Sequence, residues 1–524
     1  MPKGVKIYDT TLRDGTQAEN FSLTVSDKIK IALKLDDLGL HYIEGGWPGS
    51  NPKDAAFFNE IKKHELKNAV IVAFGSTHHP AVLAEDDLNL KALADSGAKA
   101  VTIFGKAWTV QVKEALNIPL EKNLEIILES LRILRPRVKE LFFDAEHFFD
   151  GYKADSEYAL AVLSRALEGG ADCLVLCDTN GGSMPSDIRQ IITKVKERFP
   201  AAELGIHAHN DSELAVANTM TAVKLGAVQV QGTINGIGER CGNANLCSII
   251  PNLILKKGVM CLPKENLKKL SAASRFVSEL ANLNPNRYQP YVGQSAFAHK
   301  GGVHINAALK NPMTYEHIDP ALVGNIRRIL VSDLSGRSAI AKKLEDFGIN
   351  LSKTDPAALK ILNEVKELEN HGYQFEAAEA SFELLASRLL GKNKNYFQLV
   401  DYRVTDCKAG EGEAPSIEAT VRIKVKDREE HSTAKGVGPV DALNNALRKS
   451  LEKIYPQLNG MKLTDYKVRV LPTNDGTAAR VRVLIESCDD KDYWGTVGVS
   501  VDILEASWMA LVDSFNYKLY KEEK

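Results

Sequence analysis

Up to about Leu255 the chain alternates two hydrophobic patterns. Short runs rich in β-branched and aromatic residues recur at Val5–Leu12, Tyr42–Gly46, Ala69–Gly75, Ala100–Gly105, Leu141–Phe148, Cys173–Asp178, Leu204–Asn210 and Gln229–Gly236. Between them lie longer stretches whose apolar residues fall three or four apart, such as Ser26–Leu38, Leu120–Lys139, Ser156–Glu168 and Glu213–Lys224. The first pattern suits buried strands and the second amphipathic helices. Eight such repeats predict an α/β fold, a parallel sheet closed into a (β/α)8 TIM barrel, whose reacting groups gather at the C-terminal ends of the strands.

Beyond the barrel the pattern turns helical, over Lys264–Leu283, Gly336–Phe347, Pro356–Glu369 and Ala377–Leu390, with connections rich in Asn, Pro and Gly. This predicts a connecting arm. One of its loops, Ala298-His299-Lys300-Gly301-Gly302-Val303-His304, concentrates two histidines, a lysine and two glycines, more polar chemistry than packing requires, and Tyr315 follows closely. From Tyr396 the chain is strand-rich again and repeats itself with a shift of 61 residues: Val440-Asp441-Ala442-Leu443 matches Val501-Asp502-Ile503-Leu504, and each match opens an amphipathic helix after three short strand-like runs. The reading is a duplicated βββα unit, a module for binding or assembly. The expected domains are 1–262, 263–392 and 393–524.

Composition changes this picture little. The 524 residues carry 66 basic and 68 acidic side chains, so neither nucleic acid nor an anionic membrane is an expected partner. No apolar run reaches the length of a bilayer span and no signal-peptide pattern opens the chain, which points to a cytoplasmic protein. Seven cysteines without paired Cys-x-x-Cys spacing fit reduced thiols. Cys173 and Cys177 share one face of a buried strand and read as core; Cys241 is either a reactive thiol or a small packed one. The run Lys424–Glu430 reads as a solvated strand end or turn. Gly232–Gly238 does not match a dinucleotide fingerprint.

The candidate chemistry lies at the expected strand ends. Asp9-Thr10-Thr11-Leu12-Arg13-Asp14-Gly15 leaves strand one and His207-Ala208-His209-Asn210-Asp211 closes strand seven. Residues two apart on a strand share a face, so His207 and His209 can reach one cation together with the carboxylate of Asp14. Asn243, in Gly238-Glu239-Arg240-Cys241-Gly242-Asn243 after strand eight, can reach the same space because strands one and eight adjoin on closure. Two imidazoles, a carboxylate and an amide oxygen leave about two positions open on a six-coordinate ion, where a carbonyl could be polarised. Arg13 adds a fixed positive charge for an oxyanion. Glu146 ends strand five and is the ionisable strand-end group best placed to take a proton. Glu44, ending strand two, either bonds Arg13 or caps the following helix. Thr179 follows strand six, and Phe104, ending strand four, is a candidate for narrowing a side-chain pocket.

These motifs, with Ile43-Glu44-Gly45-Gly46-Trp47-Pro48-Gly49-Ser50-Asn51-Pro52-Lys53-Asp54, resemble those of the acyl-CoA-dependent condensing enzymes of the α-isopropylmalate synthase and homocitrate synthase superfamily. The resemblance runs the length of the chain and implies a catalytic barrel, helical linker subdomains and a C-terminal α+β regulatory domain. It implies a divalent metal ion (Mg2+, Mn2+ or Zn2+) on Asp14, His207, His209 and Asn243, with acetyl-CoA as cosubstrate. Two segments, Glu44–Asp54 and Ala298–His304, look most like members that join pyruvate, acetyl-CoA and water into (R)-citramalate and CoA; isopropylmalate or homocitrate formation, acyl-CoA cleavage and a non-catalytic amino-acid sensor are the alternatives. On this resemblance Thr179 contacts the keto acid carboxylate, and His304, with Tyr315, acts through Glu146 or activates the water that releases CoA. It also implies a homodimer inhibited by isoleucine.

Overall fold

The computed structural model describes residues 2, 4–392, 394–471, 479–490 and 492–523. Strands β1 (Lys6–Asp9), β2 (Tyr42–Gly46), β3 (Val70–Ser76), β4 (Ala100–Lys106), β5 (Glu140–Glu146), β6 (Cys173–Asp178), β7 (Leu204–Ala208) and β8 (Gln229–Gly232) form a closed parallel barrel in that order, with β1 pairing β8. Alternation along each strand sorts the side chains. Ile7, Ile43, Ala73, Val101, Leu141, Leu174 and Ile206 face outward into one large core shared with the helices. Tyr8, Tyr42, Val72, Ala100, Phe142, Cys173, Val175 and Cys177 fill the barrel interior. Residues two and four further along the same faces, among them Thr10, Glu44, Phe74, Phe104, Asp144, Glu146 and Thr179, therefore sit above this plug, toward the C-terminal mouth.

Several expected elements end early, each for a local reason. The first strand stops at Asp9, whose carboxylate accepts from Thr11 N (3.0 Å) and Thr11 Oγ1 (2.8 Å) and bends the chain into the turn carrying Arg13 and Asp14. The eighth stops at Gly232, where Thr233 N turns to Ala244 O (3.1 Å) and Asn235 takes a left-handed φ of 65°. The helix from Leu120 ends at Leu134, because Pro136 has no N–H to continue it. Val25–Leu38 starts on a capping box between Thr24 and Asp27 and stops at Gly39, whose φ of 94° suits glycine.

The chain divides into two compact units. The first holds the barrel and continues to Phe297, with Ile318–Ile326 returning to it; Leu267, Leu270, Ala273 and Val277 of the segment after the barrel belong to its core, and Ser271 Oγ donates to Val323 O (2.7 Å). The second unit comprises Ala298–His317 and the chain from Arg327. It opens with two short parallel strands, β9 (Ala298–His299) and β10 (Arg328–Ile329), and the helices Gly302–Lys310, Arg337–Asp346, Pro356–Asn370 and Glu379–Leu389. Then β11 (Gln398–Cys407), β12 (Ser416–Val425) and β13 (Arg428–Gly436) form an antiparallel sheet followed by helix Pro439–Leu451; β14 (Lys462–Val470), β15 (Val481–Cys488) and β16 (Tyr493–Ser500) repeat it before helix Ile503–Glu523. Leu443, Leu447 and Leu451 of one helix and Leu511, Phe515 and Leu519 of the other share a core with Val421, Ile423, Val483 and Ile485.

The duplication is real, but its period differs from the sequence match. The register slips between Leu399 and Asp401 in one unit and between Leu463 and Asp465 in the other, and Asp401 opposes Arg422 as Asp465 opposes Glu486. Equivalent positions thus lie 64 residues apart, and the two Val-Asp quartets are offset by three residues, just under one helical turn. Asp441 lies inside its helix and Asp502 immediately before the other, yet each carboxylate accepts a nearby backbone N–H, from Val437 (3.0 Å) and Leu504 (2.7 Å). The Lys424–Glu430 run contains the tight turn between β12 and β13, as expected. Among the described residues no helix is long and apolar enough to cross a membrane.

Candidate active site

At the C-terminal mouth of the barrel, Asp14, His207 and His209 converge, all buried. His207 Nε2 lies 3.2 Å from Asp14 Oδ2 and 3.3 Å from His209 Nε2, and His209 Nε2 lies 3.9 Å from the same carboxylate oxygen. The seventh strand proper ends at Ala208, but His209 stays extended because its N–H donates to Asp178 O (3.2 Å) and it bridges the backbone of Asn243. That bridge sets the two side chains on one face.

Three buried ligand-type atoms converging on one point form a donor set that could hold a cation. Donors bound at about 2.0–2.2 Å to one ion lie roughly 3 Å apart when adjacent, close to the spacing here. Asp14 Oδ1 and both amide atoms of Asn243 are buried without a hydrogen-bond partner among the described residues. Orphaned groups of this kind are costly unless something binds them. The donor set, two imidazoles with carboxylate and amide oxygens, suits Mn2+ or Zn2+ as readily as Mg2+.

A further layer orients these ligands. His207 Nδ1 meets Gln231 Oε1 (2.9 Å), while Gln231 Nε2 donates to Asp144 Oδ1 (3.0 Å). An amide oxygen can only accept, so the proton sits on Nδ1 and Nε2 turns its lone pair to the cluster. Burial pushes the Asp144 carboxyl up to about 7, opposed by His207 and Arg13. Burial also works against ionised Asp14, but the Arg13 guanidinium and the two histidines outweigh it and hold the carboxyl far below the usual range. Burial and the neighbouring His207 push His209 down to about 3, which favours its neutral imidazole. For His207 burial is overcome by Asp14, which raises its pKa.

Arg13 is fixed from below. Its Nε donates to Glu44 Oε2 (2.6 Å) and its Nη1 lies 3.6 Å from Asp14 Oδ2. Glu44, fully buried, also accepts from Tyr8 Oη (2.6 Å) and from the Thr10 hydroxyl. Of the two roles open to Glu44, bonding Arg13 is the one found; the next helix is capped by Asn51, whose Oδ1 accepts from Asp54 N (2.8 Å). With Nε committed, the Nη groups are what a substrate oxygen would meet. The guanidinium carbon lies 3.7 Å above the Phe74 ring. Phe104 stacks on Phe74 (5.4 Å, 19°), and Trp47 meets both edge to face.

Glu146 ends β5 on the inner face and pairs with the ammonium of Lys106 at the end of β4. The Thr179 hydroxyl accepts from His147 N (2.8 Å) and keeps its own hydrogen to donate. Arg240 draws three loops together, gripping Asp211 through Nε (2.8 Å) and Nη2 (3.0 Å) and donating to Thr179 O (2.7 Å). Cys241 beside it is exposed rather than packed, whereas Cys173 and Cys177 are buried as expected. In the second unit, His304 stacks on Tyr315 (4.3 Å, 30°). Glu316, next along, accepts from His299 Nε2 (3.0 Å) and from Arg327 Nε and Nη2 (2.5 and 2.7 Å).

Gln231, Asp144, Lys106, Tyr8 and Phe74 were not picked out by sequence reasoning, and Thr10 and Trp47 stood there only within longer motifs. For Gln231 and Asp144 the signal was the inner-face alternation: polar residues at 229 and 231, and at 144 two positions before Glu146, break an otherwise apolar strand pattern.

A parallel barrel with a carboxylate and two histidines at its mouth, beside a guanidinium held by a buried glutamate, is an enzyme framework for carbonyl chemistry. The chain matches the HMGL-like family over residues 4–277, the homocitrate synthase post-HMGL domain-like family over 291–373 and the LeuA allosteric (dimerisation) domain over 376–519. It is 59% identical to an (R)-citramalate synthase of Geobacter sulfurreducens, covering 99% of this chain and 98% of that protein, and 57% identical to one of Aquifex aeolicus, covering 100% and 99%. A 2-isopropylmalate synthase of Methanocaldococcus jannaschii is 32% identical, covering 100% and 96%. The chain belongs to the HMGL-like family and, along its full length, to the (R)-citramalate synthases within it, and is an acyltransferase.

Proposed function

We propose that the protein condenses pyruvate with acetyl-CoA and water to give (R)-citramalate and CoA. The carrying observation is the buried Asp14–His207–His209 cluster beside Arg13, together with full-length identity to (R)-citramalate synthases. Asp14, His207, His209 and Asn243 would hold a divalent ion, which when bound supplies Lewis-acid polarisation of a keto acid carbonyl. Glu146 removes a proton from the acetyl methyl group, and the carbon so exposed attacks the keto carbon of pyruvate. Arg13 donates to the oxygen that becomes an alkoxide; Glu44, with Tyr8 and Thr10, keeps it aimed. Thr179 donates its hydroxyl hydrogen to the keto acid carboxylate, and Phe104 limits the space for the alkyl group. His304 and Tyr315, stacked together, activate the water that cleaves the thioester of the condensed product and frees CoA.

The working division is a catalytic barrel over 1–262, linker subdomains over 263–392 and a regulatory and dimer-forming module over 393–524, with isoleucine as inhibitor and a homodimer as the assembled state. The duplicated βββα module and the allosteric (dimerisation) description of its matching family support a regulatory, dimer-forming role for the last of these stretches. Seven free thiols accord with a reducing, cytoplasmic setting. CoA release from acetyl-CoA, followed across pyruvate, 2-ketobutyrate, 2-ketoisovalerate and 2-ketoglutarate, tests the reading: pyruvate should give the highest kcat/KM. A higher value for 2-ketoisovalerate or 2-ketoglutarate would move the assignment to isopropylmalate or homocitrate formation.

A further inference from the structure

We propose that Trp47, beside Phe104, sets which 2-keto acid the barrel accepts, and that Asn89 and Asp54 are the positioning residues that fix it. The inference rests on the condensing activity proposed above. Phe74 and Phe104 lie on the inner face of neighbouring strands β3 and β4, above the apolar plug and at the height of the candidate site. Their rings are stacked, and the Arg13 guanidinium rests on Phe74. Trp47, just after β2, closes this pair from the side, its ring 5.6 Å from Phe104 and 6.0 Å from Phe74, both at 84°. The three rings make one continuous apolar wall beginning at the group that would hold the keto oxygen. The alkyl substituent of a keto acid engaged by Arg13 has this wall beside it.

Two of the rings ride on the paired barrel strands β3 and β4, which fix their backbones. Trp47 rides on a loop, so its position must be set by side-chain contacts, and it is. Its indole Nε1 donates to Asn89 Oδ1 (2.6 Å), and its backbone N donates to Asp54 Oδ2 (2.9 Å). Asn89 is itself tied to the barrel, its Nδ2 donating to Ser76 O (2.8 Å). A Cβ on Gly75 would fall 2.8 Å from Asn89 Oδ1, so glycine there leaves Asn89 room to reach the indole. Asp54 is buried, and its charge is met by the equally buried Lys28, 2.5 Å from Oδ1, which also donates to Gly45 O (3.1 Å). A buried ion pair of this kind between two helices, Val25–Leu38 and Pro52–Ile61, costs desolvation. Its structural return is one fixed orientation for the segment that presents Trp47.

Rigid aromatic walls discriminate by size, and one methylene in such a pocket changes kcat/KM by roughly 10- to 200-fold. Trp47→Leu removes the ring that closes the wall from the side, and Asn89→Ala leaves that ring present but loose. The measurement is kcat and KM for pyruvate and for 2-ketobutyrate in wild type, Trp47→Leu, Asn89→Ala and Asn89→Asp, with divalent-ion binding by calorimetry as the check that the site is intact. In Trp47→Leu the ratio of kcat/KM for 2-ketobutyrate over pyruvate should rise by about tenfold or more. Asn89→Ala should move the ratio the same way by a smaller factor, through KM rather than kcat, and Asn89→Asp, which keeps an acceptor for the indole but loses the donor to Ser76 O, should fall between Asn89→Ala and wild type. An unchanged ratio in Trp47→Leu with ion binding retained overturns the proposal. A wild type that turns over neither keto acid would instead overturn the condensing activity itself.

Discussion

Arg13 carries the sharpest demand of any side chain in the barrel, because its fork is divided between holding itself still and serving a substrate. Nε is committed to Glu44 and the Nη edge faces Asp14. Arg13→Lys keeps the charge but cannot do both, so kcat/KM for pyruvate should fall by on the order of 100- to 1000-fold, the loss typical of a missing oxyanion donor; a fall under tenfold would remove Arg13 from that role. Asp9 makes a second residue-scale case. Burial pushes its carboxyl up to about 7 despite hydrogen bonds from Thr11. The folded protein then holds a proton that the unfolded chain has lost, so stability should decline as pH rises from about 4 to about 7. Urea midpoints at pH 5 and pH 8 should differ less in Asp9→Asn than in wild type; an equal difference would mean that Asp9 titrates normally.

Strands and loops divide the labour at the next scale. β7 and the extended residue after it place the histidines, and the loop after β8 brings Asn243 back to them through the His209 bridge. That return depends on Gly232, where a Cβ would fall 2.4 Å from Ala244 O. Gly232→Ala should therefore displace the loop and weaken divalent-ion binding, measured by calorimetry, more than it lowers thermal stability; unchanged ion affinity would take Asn243 out of the set. Much at this scale was legible in the chain. Eight alternations of period sufficed for the barrel, and the strand ends named Asp14, His207, His209 and Arg13 because their polar residues interrupt apolar runs. What stayed hidden was set by long-range contacts. Nothing near Gln231 or Asp144 announces that they meet across the barrel, 87 positions apart in sequence, and the Thr11–Asp9 turn that ends β1 competes with strand pairing only by a local hydrogen bond. The repeat was legible too, but the Val-Asp quartets were matched three residues out of structural register, since each Asp reaches a backbone N–H from a different side of its helix start.

At the scale of the whole molecule, the proposed catalytic and regulatory roles fall to separate stretches of chain. An effector bound in the duplicated module can alter the barrel only by binding one arrangement of the protein better than another, a coupling of typically 1–3 kcal/mol. Removing the residues after Leu390 should abolish isoleucine inhibition while leaving ion binding intact, and should lower the mass of the assembly in sedimentation; inhibition equal to that of the full chain would place the effector elsewhere. The central claim is that the Asp14–His207–His209 cluster serves chemistry by holding a divalent ion. It is tested most directly by following CoA release from acetyl-CoA and pyruvate with thoroughly metal-stripped protein, before and after adding back Mg2+, Mn2+ or Zn2+. The expected result is no release before addition and recovery afterwards in wild type, with no recovery at the same ion concentration in His207→Ala. Full turnover by the stripped wild type would contradict the account.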